Sequence, residues 1–315
     1  MDPLFHTIIN ERGKKRLISS LTFRDRVVEK VLNQGFILPL FVPKLIYTNC
    51  ASLQDRGIHF ALNHLEQMMY KMYLKYGKNY YVAKCDIKSY FDSIPHEYMY
   101  NIFDRYTMDK RIMWLVGSIL EQFRMDSDIH NGDNVPYGIG LGGEVSQSFG
   151  TLCLNELDHI MTEDPKLKAE CYIRYMDDFI FMGKDLDKLK EKMQFIYYYL
   201  KNLNLKMSKN KCSVSHINEG IKFLKVHFFI SNSGQIYKHP CQKSFKRETV
   251  KLYKMHNLFI NNDPITLQNI EQSYYSWRGY INSVSDIPNI ISIYDDLYNN
   301  LFNYENVITD RITNK

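Results

Sequence analysis

Paired cysteines are missing from this chain. Its six cysteines stand at 50, 85, 153, 171, 212 and 241, and none forms a CxxC pair, which argues against a zinc site. Most lie inside apolar runs and read as small buried thiols in a reducing compartment. Long hydrophobic runs are missing too: none approaches the roughly 18 residues of a membrane span. The opening MDPLFHTIINERGKK lacks the charged-then-apolar layout of a secretory leader. These absences predict a cytoplasmic protein with no membrane partner. Internal repeats and low-complexity linkers are also absent. An excess of one charge is scarce: 40 Lys+Arg face 35 Asp+Glu, a net of +5, only a weak pull toward polyanions.

What is present is apolar and aromatic. With 45% hydrophobic residues over 315 positions, the chain is globular and long enough for a sizeable core. Its 24 tyrosines supply faces for base stacking and equally fill cores. Cations cluster near residues 12–30, 184–211 and 238–254.

The stretch Cys171-Tyr172-Ile173-Arg174-Tyr175-Met176-Asp177-Asp178-Phe179-Ile180-Phe181 organises the rest. Two aromatic-rich runs read as strands, and Met176-Asp177-Asp178 sits where the chain must turn back. Paired carboxylates repel each other unless a cation lies between them, and hard oxygen ligands suit Mg²⁺. Taken alone, the pair reads first as a solvated turn, because Asp favours turns.

Earlier in the chain, Glu11-Arg12-Gly13-Lys14-Lys15-Arg16 reads as a basic hairpin tip. Its cations suit a triphosphate or nucleic-acid backbone, or else simply face solvent. Val27, Val28, Val31 and Leu32 recur at helical spacing, and a long helical pattern runs from His59 to Tyr76. Tyr80 to Cys85 is a buried-strand candidate delivering Asp86 at its carboxyl end, where ligand sites of mixed sheets lie. A helix from about Pro95 and helical patterns over 101–130 follow. The Gly-rich run from Pro136 to Gly143 lets backbone approach a ligand closely. It leads into one long amphipathic helix from about Ser146 to Met161. Residues 184–204 read as a Lys-rich helix, and 204–214 and 221–230 as strands. His239-Pro240 marks a subdomain boundary near 238, with helices beyond it.

The constellation of Asp86 with Asp177-Asp178 resembles the palm of a reverse transcriptase. Asp86 to Ile94 resembles motif A of that family, Gly140 to Gln147 motif B, and Tyr175-Met176-Asp177-Asp178 the YxDD box of motif C. Leu205 to Val214, with Lys211, resembles motif D, and Phe223-Leu224-Lys225 stands where motif E, the primer grip, belongs. The order holds over residues of roughly 10–235, and Arg24-Asp25-Arg26-Val27-Val28 resembles the bacterial branch. The resemblance implies an α+β right-hand fold: fingers over 1–78, an antiparallel palm over 79–237 with a helical insertion at about 101–135, and a helical thumb over 238–315.

The same resemblance implies RNA-templated DNA synthesis with two Mg²⁺ ions, Mn²⁺ being an alternative. Asp86, Asp177, Asp178 and the Ile87 carbonyl would be ligands, and Lys211 would be the general acid. Lys14, Lys15 and Arg16 would hold the dNTP triphosphate, and Phe91 would be the steric gate against a 2′-hydroxyl. Leu141, Gly142 and Gln147 would line the nascent base pair. Tyr175, Met176, Leu224, Lys225, Lys243, Arg247 and Lys251 would contact the RNA–DNA hybrid, with Lys246 and Lys254 on the same helical stripe. Ser276-Trp277-Arg278-Gly279-Tyr280 resembles the thumb segment of bacterial members.

Two departures bear on the subfamily. Leu141 stands where retroviral and group II intron enzymes carry Gln, and the form Leu141-Gly142-x-x-x-Ser146-Gln147 is similar to diversity-generating retroelements. Some phage-defence enzymes also depart from Gln. Lys225 replaces the usual Gly of motif E. No RNase H, maturase tail or endonuclease is expected after the thumb, so an accessory protein or structured non-coding RNA is expected as a partner. A non-catalytic RNA scaffold is the contrasting class, and the presence of all three aspartates argues against it.

Overall fold

The computed structural model describes residues 4–11, 14–124, 136–261 and 263–303; the side chains of 11 and 14–17 are outside that set. The chain divides into two compact units, Met1–His216 and Ile217–Lys315.

The first unit opens with an antiparallel pair, β1 (Phe5–Glu11) and β2 (Lys14–Ser20), the hairpin expected from the basic run. Helices α1 (Phe23–Leu32), α2 (Leu38–Phe41) and α3 (Ile58–Tyr76) follow. Next come β3 (Tyr81–Asp86), α4 (Tyr90–Ser93), α5 (His96–Asp104) and α6 (Lys110–Gln122). Then α7 (Glu144–Cys153), α8 (Asn155–Glu163), β4 (Cys171–Tyr175), β5 (Asp178–Gly183), α9 (Leu186–Asn202) and β6 (Ser213–His216) complete the unit. The strands β4-β5-β3-β6 form one sheet, antiparallel at every pairing rather than mixed.

Sequence periodicity located most of these elements, and several details differ. The single helix expected over 146–161 is two, broken at Leu154 (φ −107°, ψ 10°) without any Pro or Gly. Leu154 and Asp158 both go into the interior there. The pattern over 101–130 resolves into α5 and α6, and Asp109 starts α6 by accepting from the Arg111 N–H at 2.9 Å. The rest of that stretch, 125–135, lies outside the described residues. Most of 204–214 is a turn rather than a strand, with Asn204 at φ 56°.

Helix α1 keeps only part of its expected face inward: Leu32 is buried and Val28 half-buried. Phe23 is 82% exposed and Val31 67%, while Asp25, Glu29 and Asn33 are buried. The apolar spacing alone would have put Val27 and Val31 inward. What reverses it is the helix that α1 meets: Glu29 lies against the amino end of α7, whose free N–H groups and positive dipole end favour a carboxylate.

The second unit carries β7 (Ile221–Phe223), β8 (Val226–Ile230) and β9 (Ile236–Pro240), an antiparallel sheet in that order. Helices α10 (Gln242–Ile260), α11 (Leu267–Val284) and α12 (Ile290–Phe302) follow. Thr266 and Asn269 cap α11 reciprocally. Its core joins Leu252, Ile270, Tyr274, Tyr294 and Tyr298, with Tyr274 and Tyr298 stacked at 4.4 Å. Arg278 of the Trp-Arg-Gly segment ties α11 to α12 through Asp295 at 2.7 Å.

Candidate active site

Register builds the site. Asp86 ends β3 and stands directly opposite Asp178, the first residue of β5. Opposed residues in an antiparallel pair share one sheet face, so the two carboxylates face the same side. Tyr175 pairs with Asp178, which makes Met176-Asp177 a two-residue turn and puts Asp177 at its tip. Met176 takes φ 55°, the left-handed region that glycine usually fills in such turns.

A buried network holds that strained turn, and sequence reasoning missed it. Arg174 on β4 is fully buried and grips Asp158 of α8 through two bonds, Nε–Oδ1 at 2.7 Å and Nη2–Oδ2 at 2.6 Å. Its Nη1 donates to the Met176 carbonyl at 3.0 Å, and its Nη2 to the Thr151 carbonyl at 2.8 Å. Tyr172 donates to Asp158 as well, at 2.8 Å. One guanidinium therefore ties the aspartate turn to α7 and α8. An Arg one position before the YxDD box, with an acid inside the preceding helix, was the available signal.

Each paired carboxylate has a lysine. The Lys211 Nζ donates to both oxygens of Asp86, at 2.8 and 2.7 Å, and this contact raises the Lys211 pKa. Lys84, two residues before Asp86 and absent from the sequence-based site, donates to Asp178 Oδ2 at 3.2 Å. Burial pushes the Asp178 carboxyl up to about 6 against the opposing pull of Lys84, with Asp86 and Asp177 adding to the rise. Asp178 Oδ1 is buried and has no hydrogen-bond partner.

The carboxylates fit a hard divalent cation chemically: the donors are oxygens, they share one end of the sheet, and one of them is an orphaned buried atom. Among the described residues no group of His, Cys, Asp and Glu side chains is drawn together as a ready metal cage. Asp86 and Asp178 are each paired with a lysine. Hydrogen bonds from the Lys88 N–H to the Lys206 carbonyl and from the Ser208 N–H to the Asp86 carbonyl flank Ile87. The Ile87 carbonyl is not used by that bridge.

The Gly-rich loop is shaped by packing as much as by access. Ser19 of β2 donates its N–H to the Leu141 carbonyl at 2.8 Å. A Cβ on Gly142 (φ 139°) would lie 2.2 Å from the Ser19 carbonyl oxygen, and one on Gly143 would lie 2.6 Å from Glu29 Oε2. Burial pushes the Glu29 carboxyl up to about 7, with Glu144 and Asp25 adding to the rise. Gln147 sits on the first half of α7 and accepts from Ser52 Oγ at 3.0 Å. Phe91 is half-buried, its ring 3.2 Å from where a Cβ on Gly150 would stand. Tyr175 is half-buried, and the Met176 side chain faces inward against Thr151.

Lys14, Lys15 and Arg16 occupy strand positions on β2, and their side chains lie outside the described residues. In the second unit, Leu224 and Lys225 form the β7–β8 turn at φ 47° and 69°. Lys243, Lys246, Arg247 and Lys254 are exposed on α10, whereas Lys251 is paired with the buried Glu248 at 2.7 Å.

A helix-backed antiparallel sheet presenting aspartates at a strand end and an adjoining turn is the palm of a right-hand polymerase. Residues 8–228 match the family model described as reverse transcriptase (RNA-dependent DNA polymerase), and the chain belongs to that family. It is similar to the protein YkfC of Escherichia coli, 22% identical over 250 residues that make up 69% of this chain and 64% of that protein. It is also similar to a putative COX1/OXI3 intron 2 protein of Saccharomyces cerevisiae, 24% identical over 62% of this chain and 29% of that protein. The chain thus spans less than two thirds of the length of these relatives. Among solved structures, telomerase from Candida albicans in complex with a fragment of telomeric RNA shares the fold at a TM-score of 0.53 and 11% identity, covering 98% of this chain and 58% of that one. Apo telomerase from Candida tropicalis does so at 0.51 and 14%, covering 74% and 48%. No helix among the described residues is long and apolar enough to cross a membrane.

Proposed function

We propose that the chain copies RNA into cDNA, as an error-prone RNA-directed DNA polymerase of the diversity-generating type. The observation that carries the polymerase reading is the pairing of Asp86 with Asp178 beside the Asp177 turn, in a chain of this family. Leu141 supports the error-prone reading: an apolar side chain cannot make the hydrogen bond that Gln would, and discrimination falls when a polar contact is lost.

Asp86, Asp177, Asp178 and the Ile87 carbonyl would hold two divalent cations, Mg²⁺ or Mn²⁺, which supply charge neutralisation on the attacking 3′-oxygen and the triphosphate. Lys211, which sits on Asp86, would be the general acid that protonates the departing pyrophosphate. Phe91, braced against Gly150, excludes a 2′-hydroxyl. Gln147 and the Leu141-Gly142 backbone bound the base-pair pocket, and Lys14, Lys15 and Arg16 hold the triphosphate. The exposed cations of α10 track the hybrid backbone. The fingers, palm and thumb take the extents 1–78, 79–237 and 238–315.

The test is sequencing of nucleic acid that co-purifies with the full chain, beside an Asp177→Ala control and a primer-extension assay. A defined RNA with cDNA substituted at one base type is the expected result, absent from the control. A repetitive or untemplated DNA product would move the chain to antiviral defence. No extension under any divalent metal would overturn the polymerase reading.

A further inference from the structure

A groove of about 1160 Å³ lies between α9 and the loop 205–212, within the first unit. Five lysines line it, Lys88, Lys190, Lys201, Lys206 and Lys209, and no acidic side chain does. All five are exposed. Lys190 has a 3.6 Å ion pair with Asp187 on its own helix; the other four have no carboxylate partner among the described residues. An uncompensated set of cations in a concave surface focuses positive potential and favours a polyanion.

Two tyrosines stand among these lysines. Tyr197 and Tyr198 are 47% and 52% exposed, and their rings meet edge to face at 5.4 Å and 73°. Exposed aromatic faces beside lysines are the chemistry that holds unpaired bases and their phosphates together. A duplex hides its bases from such faces; a single strand offers them. Met193, Leu205 and Met207 also line the groove, an apolar surface that suits base faces.

We propose that this groove binds a single-stranded segment of RNA, with the lysines on its phosphates and Tyr197 and Tyr198 stacked on its bases. The proposal rests on the reading of the chain as an RNA-copying enzyme and adds a second RNA contact to it. The groove is tied to the catalytic strand by backbone. The Lys206 carbonyl accepts from the Lys88 N–H at 2.8 Å, and the Ser208 N–H donates to the Asp86 carbonyl at 2.8 Å. The same loop carries Lys211, which sits on Asp86. A strand seated in the groove therefore bears on the loop that controls the general acid.

The experiment uses the full chain and a short fluorescent oligouridine RNA, with binding read by anisotropy across a salt series. The variant Lys201→Gln/Lys206→Gln/Lys209→Gln is expected to lose tenfold or more in affinity, with a log–log salt slope shallower by about 2, from about 0.7 per phosphate contact. Tyr197→Ala/Tyr198→Ala is expected to lose about thirtyfold or more with its slope unchanged. Lys30→Gln/Lys71→Gln/Lys110→Gln, which removes the same charge elsewhere, should bind like wild type. Extension of a pre-annealed short RNA–DNA hybrid should proceed in the groove variants, showing that they fold. Unchanged RNA affinity and slope would overturn the proposal, and so would an equal loss in the control triple. So would retained RNA affinity alongside loss of a co-purifying protein. If wild type fails to extend a primer while the groove variants still lose RNA binding, the polymerase reading falls and the groove stands.

Discussion

Replacing Asp158 by Asn removes one charge and little volume, at the point where the aspartate turn is anchored. Both Asp158 and Arg174 are fully buried, and their contacts are short and doubled. Removing one member of such a pair leaves an uncompensated buried charge and costs about 3–5 kcal/mol. At roughly 2–4 °C per kcal/mol for a unit of this size, the melting temperature should fall by about 6–20 °C. Activity should fall further than stability accounts for, because a guanidinium left facing a neutral amide no longer holds the Met176 carbonyl firmly. The assay is a thermal melt by circular dichroism, together with single-turnover primer extension at a temperature where both proteins are folded. The double variant Arg174→Met/Asp158→Leu separates the two effects. It should recover most of the lost stability, since an apolar pair can replace a buried ion pair, and it should leave extension slow. An Asp158→Asn protein that melts within about 2 °C of wild type would refute the reasoning.

Other perturbations test neighbouring features. Glu29 has a folded-state pKa of about 7 against an ordinary 4.5, so the folded chain holds its proton more tightly than the unfolded chain does. Stability from this group is greatest below the unfolded value and is lost as pH rises from about 4.5 to 7, by at most about 3 kcal/mol. Glu29→Gln should flatten that dependence and melt higher than wild type at pH 8; melts at pH 5 and 8 check it. Lys225→Gly should stabilise the fold by about 1 kcal/mol, seen as a higher urea midpoint with an unchanged slope, since glycine adopts φ 69° freely. Phe91→Ala should raise ribonucleotide incorporation relative to deoxyribonucleotide by more than about tenfold, a difference of about 1.4 kcal/mol, read by competitive single-nucleotide extension. Leu141→Gln should lower the substitution rate in sequenced cDNA; an unchanged error spectrum would sink the link between that position and fidelity.

The candidate site residues were legible because their spacing is local. Asp177-Asp178 between two strand-like runs, Asp86 at the end of another, and the Gly-rich run before a helix announce themselves within a few positions. The supports were not legible, because each is completed far away in the chain. Glu29 looks like a solvated charge until the amino end of α7 is placed beside it. Arg174 reads as an interruption of an apolar strand until Asp158 meets it. The break at Leu154 has no Pro or Gly to announce it. Gly142 and Gly143 read as room for a ligand, and the structure also uses them for close approach to Ser19 and Glu29.

The lysines on Asp86 and Asp178 have a consequence for handling and storage. Carboxylates crowded at one sheet end would repel when divalent ions are withdrawn, and many metal-dependent folds loosen on chelation for that reason. Here the counter-ions are covalently part of the chain: Lys84 is on the same strand as Asp86, and Lys211 follows a turn pinned to it. If the carboxylates hold divalent ions as proposed, withdrawing those ions would exchange a mobile cation for a tethered one. On the proposed reading, the chain should therefore survive dialysis against chelator with its melting temperature little changed, and extension should return when a divalent ion is added back.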